Sequence, residues 1–175
     1  DISVRSNPEA WAEKLEATLL PTGTLRREFD GAITGLPGFD AGGWWVQDAA
    51  AALPAKLLGD VKGKRVFDLC AAPGGKTLQL ASMGANVLAV DRSSKRLKRL
   101  ERNLERMGLR AGVAVADITG WTASDTPDAI LLDPPCTATG TIRRHPDILH
   151  AKGIGDLNKL TTLQAKLLAK AAGML

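Results

Sequence analysis

From Arg65 onward, short apolar runs alternate with helix-like segments, and this alternation constrains the fold more than any other feature of the chain. The four runs suit buried strands and cover residues 65–70, 85–91, 111–117 and 128–135. Helical periodicity fills the intervals over residues 76–83, 93–107 and 157–172. Strands that alternate with helices predict βαβ crossovers. We therefore predict an α/β fold with a Rossmann-like parallel sheet.

The last of these helices carries its apolar residues at helical spacing. We expect five leucines to face inward: Leu157, Leu160, Leu163, Leu167 and Leu168. Residues 1–46 show weaker patterns, with a predicted helix over Ala10–Leu20 and short strands at Leu25–Phe29 and Trp44–Gln47. We assign residues 1–46 to an N-terminal extension and residues 47–175 to the Rossmann-like core. Trp44 and Trp45 are either core residues or part of a pocket wall.

The ends of the predicted strands carry polar groups. Three runs end in Asp91, Asp117 and Asp133, and the first leads into the glycine-containing loop CAAPGGKT (70–77). A single aspartate after a strand is commonly a turn or helix cap. In open parallel sheets, however, ligands bind beyond the carboxyl ends of the strands. Four such ends at one edge predict a ligand site there.

Composition excludes several classes of protein. Hydrophobic residues make up 45% and charged residues 24%, which is unlike disordered, collagen-like or coiled-coil chains. No apolar run approaches the ~18 residues of a membrane span, so no membrane association is expected. Two cysteines cannot build a disulfide framework, which favours a reducing cytoplasm. No metal site is predicted.

The glycine loop fits two known nucleotide motifs poorly. In a P-loop, Gly75, Lys76 and Thr77 would supply the second half, but Cys70 stands where the first glycine must turn around phosphate. A G-x-G-x-x-G fingerprint is absent as well. We expect instead that Gly74 and Gly75 admit a ligand close to the backbone.

The polar groups around the loop indicate what that ligand carries. The start of the following helix offers free N–H groups to a carboxylate. Asp91 is placed to accept hydrogen bonds from both hydroxyls of a ribose, and Asp117 from an adenine amino group. A ligand with a carboxylate, a ribose and an adenine but no phosphate is S-adenosylmethionine. On chemistry alone this identification stays one of several open interpretations.

Several motifs together resemble one family. DLCAAPGGKT (68–77), VDRS (90–93), AD (116–117) and LLDPPCTATGTIRRHPDI (131–148) resemble the RNA (cytosine-5) methyltransferases, above all the bacterial Sun-type group, the ribosomal RNA small-subunit methyltransferases B. LPGFDAGGWWVQDAAAAL (36–53) resembles the segment that precedes the cofactor motif there. The resemblance covers residues 36–175 and is loose before them.

The resemblance implies a class I S-adenosylmethionine-dependent methyltransferase that transfers a methyl group to C5 of a cytosine in 16S ribosomal RNA. The family's sheet has seven strands, so the chain would be truncated after the fourth. By resemblance, Asp91 takes the ribose hydroxyls, and Asp117 and Asp133 complete the site. The cofactor pocket would be lined by Cys70, Ala71, Ala72, Pro73, Gly74, Gly75 and Lys76.

Cys136 is the candidate catalytic cysteine, next to Asp133. Two prolines stiffen its loop, and a thiolate that adds to C6 of cytosine makes C5 nucleophilic. Two roles stay open: attack on C6, as in the DNA cytosine-5 enzymes, or product release, as the RNA family implies. In the latter case the nucleophile is a Thr-Cys pair beyond Leu175, and the chain would be an inactive or truncated module that binds cofactor and RNA. We interpret Cys70 as a packing residue.

A related class of enzyme fits less well. Methyltransferases that act on exocyclic N6 amino groups carry a D-P-P-aromatic loop, but here Cys136 occupies the aromatic position and the chain has no tyrosine.

The positive charge is concentrated in one segment. Residues 92–110 hold eight basic and two acidic residues, a net +6, so the remainder of the +4 chain sums to −2. Such a run is either a solvated helix face or a contact for RNA. We predict that ribosomal RNA contacts Arg99, Arg102 and Arg106. We also predict that Arg143 and Arg144 grip phosphates beside the flipped target base.

Overall fold

The computed structural model describes residues 1–142, 145–151 and 153–175. The described strands are β1 (Ile2–Val4), β2 (Thr18–Leu19), β3 (Leu25–Arg26), β4 (Trp44–Val46), β5 (Arg65–Leu69), β6 (Asn86–Asp91), β7 (Gly112–Val115) and β8 (Ala129–Leu132). The described α-helices are α1 (Pro8–Lys14), α2 (Ala49–Leu57), α3 (Gly75–Ser82), α4 (Ser94–Met107), α5 (Ile148–Ala151) and α6 (Ile154–Ala172). Short 3₁₀ helices cover Ile33–Gly35 and Thr139–Thr141.

The second half of the chain forms the predicted parallel sheet, with the order β7-β6-β5-β8. Val66, Phe67 and Leu69 of β5 are buried, as expected for a central strand covered on both faces. The chain runs from β5 through β6 to β7 on one side and then returns to β8 on the other. The topological switch point therefore lies between β5 and β8, where α/β folds bind ligands.

The first 46 residues form a separate antiparallel sheet with the order β2-β3-β1-β4. Its core surrounds the fully buried ring of Trp44. The helix predicted over Ala10–Leu20 is shorter than expected and covers Pro8–Lys14. It ends early because Glu16 adopts a left-handed backbone with φ 48°, which turns the chain into β2.

The two sheets share core residues. Trp45 packs among Leu97, Leu100, Leu104 and Met107 of α4, beside the parallel sheet. Both tryptophans are therefore core residues. The division of the chain at residue 46 stays a prediction.

Helix α6 packs on the parallel sheet through a narrower stripe than the leucine pattern predicts. Leu167 is buried and Leu163 half-buried against the sheet, together with Ala171. Leu157 is 48% exposed and Leu168 63% exposed, so the prediction that they face inward is wrong. Residues four apart follow one helix face, whereas 157 and 168 lie off that stripe.

Candidate active site

A cleft of about 390 Å³ opens at the carboxyl edge of the parallel sheet, beside the switch point. It brings together seven of the predicted site residues: Cys70, Ala72, Pro73, Asp91, Asp117, Asp133 and Cys136. Arg92, Arg96, Ile118, Leu163 and Leu167 also line it. Ala71, Gly74, Gly75 and Lys76 lie in the same loop and helix but do not form its walls.

Asp91 joins the glycine loop to the start of α4. Its Oδ2 accepts a hydrogen bond from the Ala72 backbone N–H at 3.1 Å, and its Oδ1 accepts one from the Ser93 N–H at 2.9 Å. The side chain is only 3% exposed, and the Arg96 guanidinium lies 3.7 Å away. Each oxygen keeps further acceptor capacity for a ligand, since an ionised carboxylate has about four lone-pair sites.

At Gly74 the structure shows a steric reason for a glycine, in addition to the predicted approach of a ligand. Gly74 has φ 107° and precedes α3, and a Cβ atom there would lie 2.7 Å from Leu100 Cγ of α4. A Cβ atom on Gly75 would face the side chain of Gln47 at 3.7 Å. The space beside Gly74 is thus filled by a core leucine and not by a ligand. A cofactor contact at Gly74 or Gly75 stays a prediction, through their backbone alone.

Asp68 is a buried acid that interacts through its charge with Asp91 and Asp133 of the cleft, and sequence reasoning missed it. It is buried in β5, where its Oδ2 accepts a hydrogen bond from Thr77 Oγ1 at 2.5 Å. Its Oδ1 has no hydrogen-bond partner among the described residues. Burial raises the pKa of Asp68 to about 7, and the charges of Asp133 and Asp91 add to that rise. The signal in the sequence was an aspartate inside an otherwise apolar strand.

Lys76 and Asp133 form an ion pair next to this buried acid. The Lys76 Nζ lies 2.6 Å from Asp133 Oδ2, and the lysine side chain is the more buried partner. The charge of Lys76 opposes the rise in the pKa of Asp68. Asp133 is also fixed through its backbone N–H, which donates to the Leu69 carbonyl at 3.1 Å.

The two cysteines line the same cleft but differ in chemistry. Cys70 is half-buried with φ 63°, and burial raises the pKa of its thiol to about 11, with Asp91 and Asp133 adding to the effect. It is therefore protonated near neutral pH and packs beside the core of β5. Cys136 is exposed, and its Sγ accepts a hydrogen bond from the Ala138 N–H at 3.3 Å.

Asp117 serves as a turn cap at the far end of the cleft. Its Oδ1 accepts hydrogen bonds from the Thr119 Oγ1 at 2.7 Å and the Thr119 N–H at 3.0 Å. These bonds lower the pKa of this exposed carboxyl group. Its position in the wall leaves the predicted contact with an adenine amino group open.

The basic helix α4 does not present all of its cations to solvent. Arg106 donates to the Phe39 carbonyl at 2.6 Å and to the Trp44 carbonyl at 3.1 Å, and it stacks 4.1 Å from the centre of the Phe39 ring. Burial lowers the pKa of Arg106. Arg106 holds the N-terminal sheet against α4, so it is removed from the predicted RNA face.

Other cations of α4 remain available. Arg99 and Arg102 are exposed, as are Lys95 and Lys98. Within the described residues, none of these four takes part in an ion pair. The predicted phosphate contacts Arg143 and Arg144 lie outside the described residues.

Two further properties concern the described parts of the chain only. In residues 1–142, 145–151 and 153–175, no group of three or more His, Cys, Asp or Glu side chains is arranged to hold a metal ion. No helix in the same ranges combines the length and the apolar character needed to cross a membrane.

Residues 55–175 match the family described as 16S rRNA methyltransferase RsmB/F. Ribosomal RNA small subunit methyltransferase B of Cronobacter sakazakii is 42% identical over 149 residues, which cover 82% of this chain and 35% of that protein. The protein of the same name from Yersinia pseudotuberculosis is 45% identical over 142 residues, covering 78% and 33%. The chain thus spans about a third of the length of these curated relatives.

Solved structures share the fold. The crystal structure of PH0851 has a TM-score of 0.91 at 30% identity and covers 98% of this chain and 42% of that one. A methyltransferase homologue from Pyrococcus horikoshii has a TM-score of 0.81 at 27% identity, covering 99% and 60%. NSun6 from the same organism, solved with SFG, has a TM-score of 0.75 at 26% identity, covering 83% and 38%. The predicted Rossmann-like methyltransferase fold and the Sun-type resemblance are confirmed, and the chain belongs to the RsmB/F family of 16S rRNA methyltransferases.

Proposed function

We propose that this chain is the S-adenosylmethionine-binding core of an enzyme that methylates C5 of a cytosine in 16S ribosomal RNA. The observation that carries the proposal is the cleft, which gathers Asp91, Asp133 and Cys136 at the switch point of the sheet. Membership of the RsmB/F family supports the reaction and the substrate. A cytoplasmic location follows from that substrate.

The cleft suits S-adenosylmethionine in size and in chemistry. Its volume of about 390 Å³ lies within the ~300–1,000 Å³ of small-molecule sites. Asp91 would accept hydrogen bonds from the ribose hydroxyls, and Asp117 would accept one from the adenine amino group. The apolar side chains of Ile118, Leu163 and Leu167 offer a wall for the flat purine.

The charges at the cleft suit the amino acid end of the cofactor. S-adenosylmethionine supplies a methyl group on a cationic sulfonium. Asp91 and Asp133 line the cleft and provide negative charge that suits this cation, although Asp133 also pairs with Lys76. The first N–H groups of α3, at Gly75 and Lys76, have no partner within the helix. Both residues lie behind the lining of the cleft, so a hydrogen bond from them to the carboxylate stays a prediction.

Cys136 and Asp133 are the residues that we assign to the reaction of the target cytosine. A thiolate that adds to C6 makes C5 nucleophilic, and loss of the C5 proton after methylation lets the thiol leave. In its protonated form, the Asp133 carboxyl group can donate a hydrogen bond or a proton to N3 of the ring. For Cys136 two roles remain, addition to C6 and release of the methylated base.

We assign RNA binding to cations at the start of α4 and along it, without Arg106. Arg92 and Arg96 line the cleft, and Lys95, Arg99 and Arg102 continue along α4 at a spacing of three and four residues. Each phosphate that they neutralise contributes about −0.7 to the salt dependence of binding to single-stranded RNA. Arg143 and Arg144 stay predicted contacts beside the target base.

Trapping with modified RNA tests the proposal. The chain is saturated with S-adenosylmethionine and incubated with RNA that contains 5-fluorocytosine, whose fluorine cannot leave as a proton does. We expect a covalent protein–RNA adduct. Its loss in Cys136→Ser assigns the addition to Cys136, whereas an adduct that survives places the nucleophile elsewhere and leaves release to Cys136. Cofactor binding with neither adduct nor methyl transfer means that this chain alone binds without turnover, which is the alternative to catalysis by Cys136.

A further inference from the structure

A side chain of α6 holds the loop that carries Cys136. The Gln164 Nε2 donates a hydrogen bond to the Pro135 carbonyl at 2.8 Å, across 29 positions of sequence. Gln164 is half-buried and lies one residue from Leu163, which lines the cleft. The same helix therefore forms part of the cleft wall and anchors the cysteine loop.

The loop has few other anchors. Pro134 and Pro135 have no N–H group to donate. At one end, the Asp133 N–H donates to the Leu69 carbonyl of β5 at 3.1 Å. At the other, the Ala138 carbonyl accepts from the Thr141 N–H at 2.9 Å. Between these points, the hydrogen bond from Gln164 is what ties the described loop backbone to another element.

The position of this bond bears directly on Cys136. The Pro135 carbonyl and the Cys136 nitrogen and Cα belong to one planar peptide unit. A hydrogen bond that fixes the carbonyl therefore fixes the plane from which the cysteine side chain projects. In that orientation the Cys136 Sγ lies 3.3 Å from the Ala138 nitrogen, whose N–H points to it. A donor at this place stabilises an anionic sulfur, which is the reactive form of a cysteine.

We propose that Gln164 is a positioning residue that holds the Cys136 sulfur against the Ala138 N–H and at the edge of the cleft. Its importance for methyl transfer rests on the proposed function. The placement of the sulfur is a property of the chain alone and is measurable without RNA or cofactor.

Alkylation of Cys136 by iodoacetamide at neutral pH is the test. The two cysteines are followed separately by peptide mass, and the protonated Cys70 thiol reacts slowly. We expect Gln164→Leu to lower the alkylation rate of Cys136 about fivefold, the factor for loss of one hydrogen bond. Gln164→Glu has nearly the same volume and cannot donate when ionised, so the same fall is expected.

Thr162→Val is the matched control on α6. The Thr162 hydroxyl donates within the helix to the Asn158 carbonyl at 2.9 Å, so its loss leaves the loop alone and the rate stays within about twofold. If Gln164→Leu does not fold, Gln164→Glu decides. A rate in the Gln164 variants equal to or above that of the original chain overturns the proposal. If methyl transfer is found together with an unchanged alkylation rate, the positioning role fails while the proposed function stands.

Discussion

The Lys76 ammonium group lies 2.6 Å from the carboxylate of Asp133, and this ion pair spans the switch point of the parallel sheet. Lys76 stands in the first turn of α3, after β5, and Asp133 follows β8. The charge of Lys76 lowers the pKa of the buried Asp68, and the charge of Asp133 raises it. Asp68, Lys76 and Asp133 therefore interact through their charges, and the stability of the fold depends on the protonation of Asp68.

The raised pKa of Asp68 predicts that the free energy of unfolding falls as the pH rises from about 4 to about 7. The folded chain binds a proton at Asp68 with a pKa of about 7, whereas the unfolded chain has the ordinary value of 3.8. The stabilisation is complete below the unfolded pKa and is lost as the pH rises to the folded pKa, a change on the order of 4 kcal/mol. Urea unfolding at several pH values measures it.

Asp68→Asn removes this dependence, because an amide does not titrate. Asp125→Asn is the control, since Asp125 is an exposed partner of Arg65 and leaves the slope in place. The lowered pKa of Asp117 has the opposite sign, and its contribution is lost only as the pH falls below the ordinary range of an aspartate. A stability profile of Asp68→Asn that matches the original chain would falsify the assignment.

Replacement of Arg106 is predicted to lower the free energy of unfolding and to have little effect on RNA binding. Arg106→Ala leaves the Phe39 and Trp44 carbonyls without their donor, so we expect the free energy of unfolding to fall by about 2 kcal/mol. Denaturant unfolding measures the change. A fall of less than about 0.5 kcal/mol, the usual range of surface substitutions, contradicts the clamp between the two sheets.

Replacement of Arg99 and Arg102 is predicted to reduce the salt dependence of RNA binding and to leave the free energy of unfolding almost unchanged. The double variant Arg99→Ala/Arg102→Ala keeps the free energy of unfolding within about 1 kcal/mol, because both side chains are exposed. It reduces the salt dependence of RNA binding by about 1.4, or about 0.7 for each phosphate that is no longer neutralised. The measurement is RNA affinity as a function of salt concentration. An unchanged slope shows that this helix face is merely solvated.

A side chain at position 74 is predicted to destabilise the fold, because it would collide with Leu100. Gly74→Ala places a Cβ atom 2.7 Å from Leu100 Cγ on a backbone with φ 107°, so we expect a destabilisation of about 2 kcal/mol. Gly120→Ala meets no atom within 4 Å and serves as the control. Thermal unfolding compares the two. Equal melting temperatures mean that Gly74 is not required by the packing of α4.

Sequence patterns identified the parallel strands because each is a continuous apolar run between turn residues, as at Val66 and Leu69. They also located Asp91 and Asp133, since the ends of parallel strands meet at one edge whatever the details of packing. They did not show that Arg106 and Arg102 have different roles, because both arginines belong to the same charged segment. Only the fold places the Phe39 and Trp44 carbonyls beside one of them.

The same limit applies to packing and to buried charge. The pattern in α6 assigned Leu168 to the core, whereas the contact with the sheet uses the narrower stripe through Leu167. Asp68 lies inside the predicted apolar run over residues 65–70. The pattern predicts that this position is buried, but it does not predict which polar group replaces water as the hydrogen-bond partner of the carboxyl group. The Gln164 contact joins positions far apart in sequence, and no local pattern encodes it.

The most direct test of the cleft is titration calorimetry of S-adenosylmethionine with the original chain, Asp91→Asn and the exposed control Asp60→Asn. We predict saturable binding to the original chain and to Asp60→Asn. We predict a loss of affinity of about tenfold or more in Asp91→Asn, the cost of a hydrogen bond to a charged group. Equal affinity in Asp91→Asn, or no binding to the original chain, would contradict the assignment of this cleft to S-adenosylmethionine.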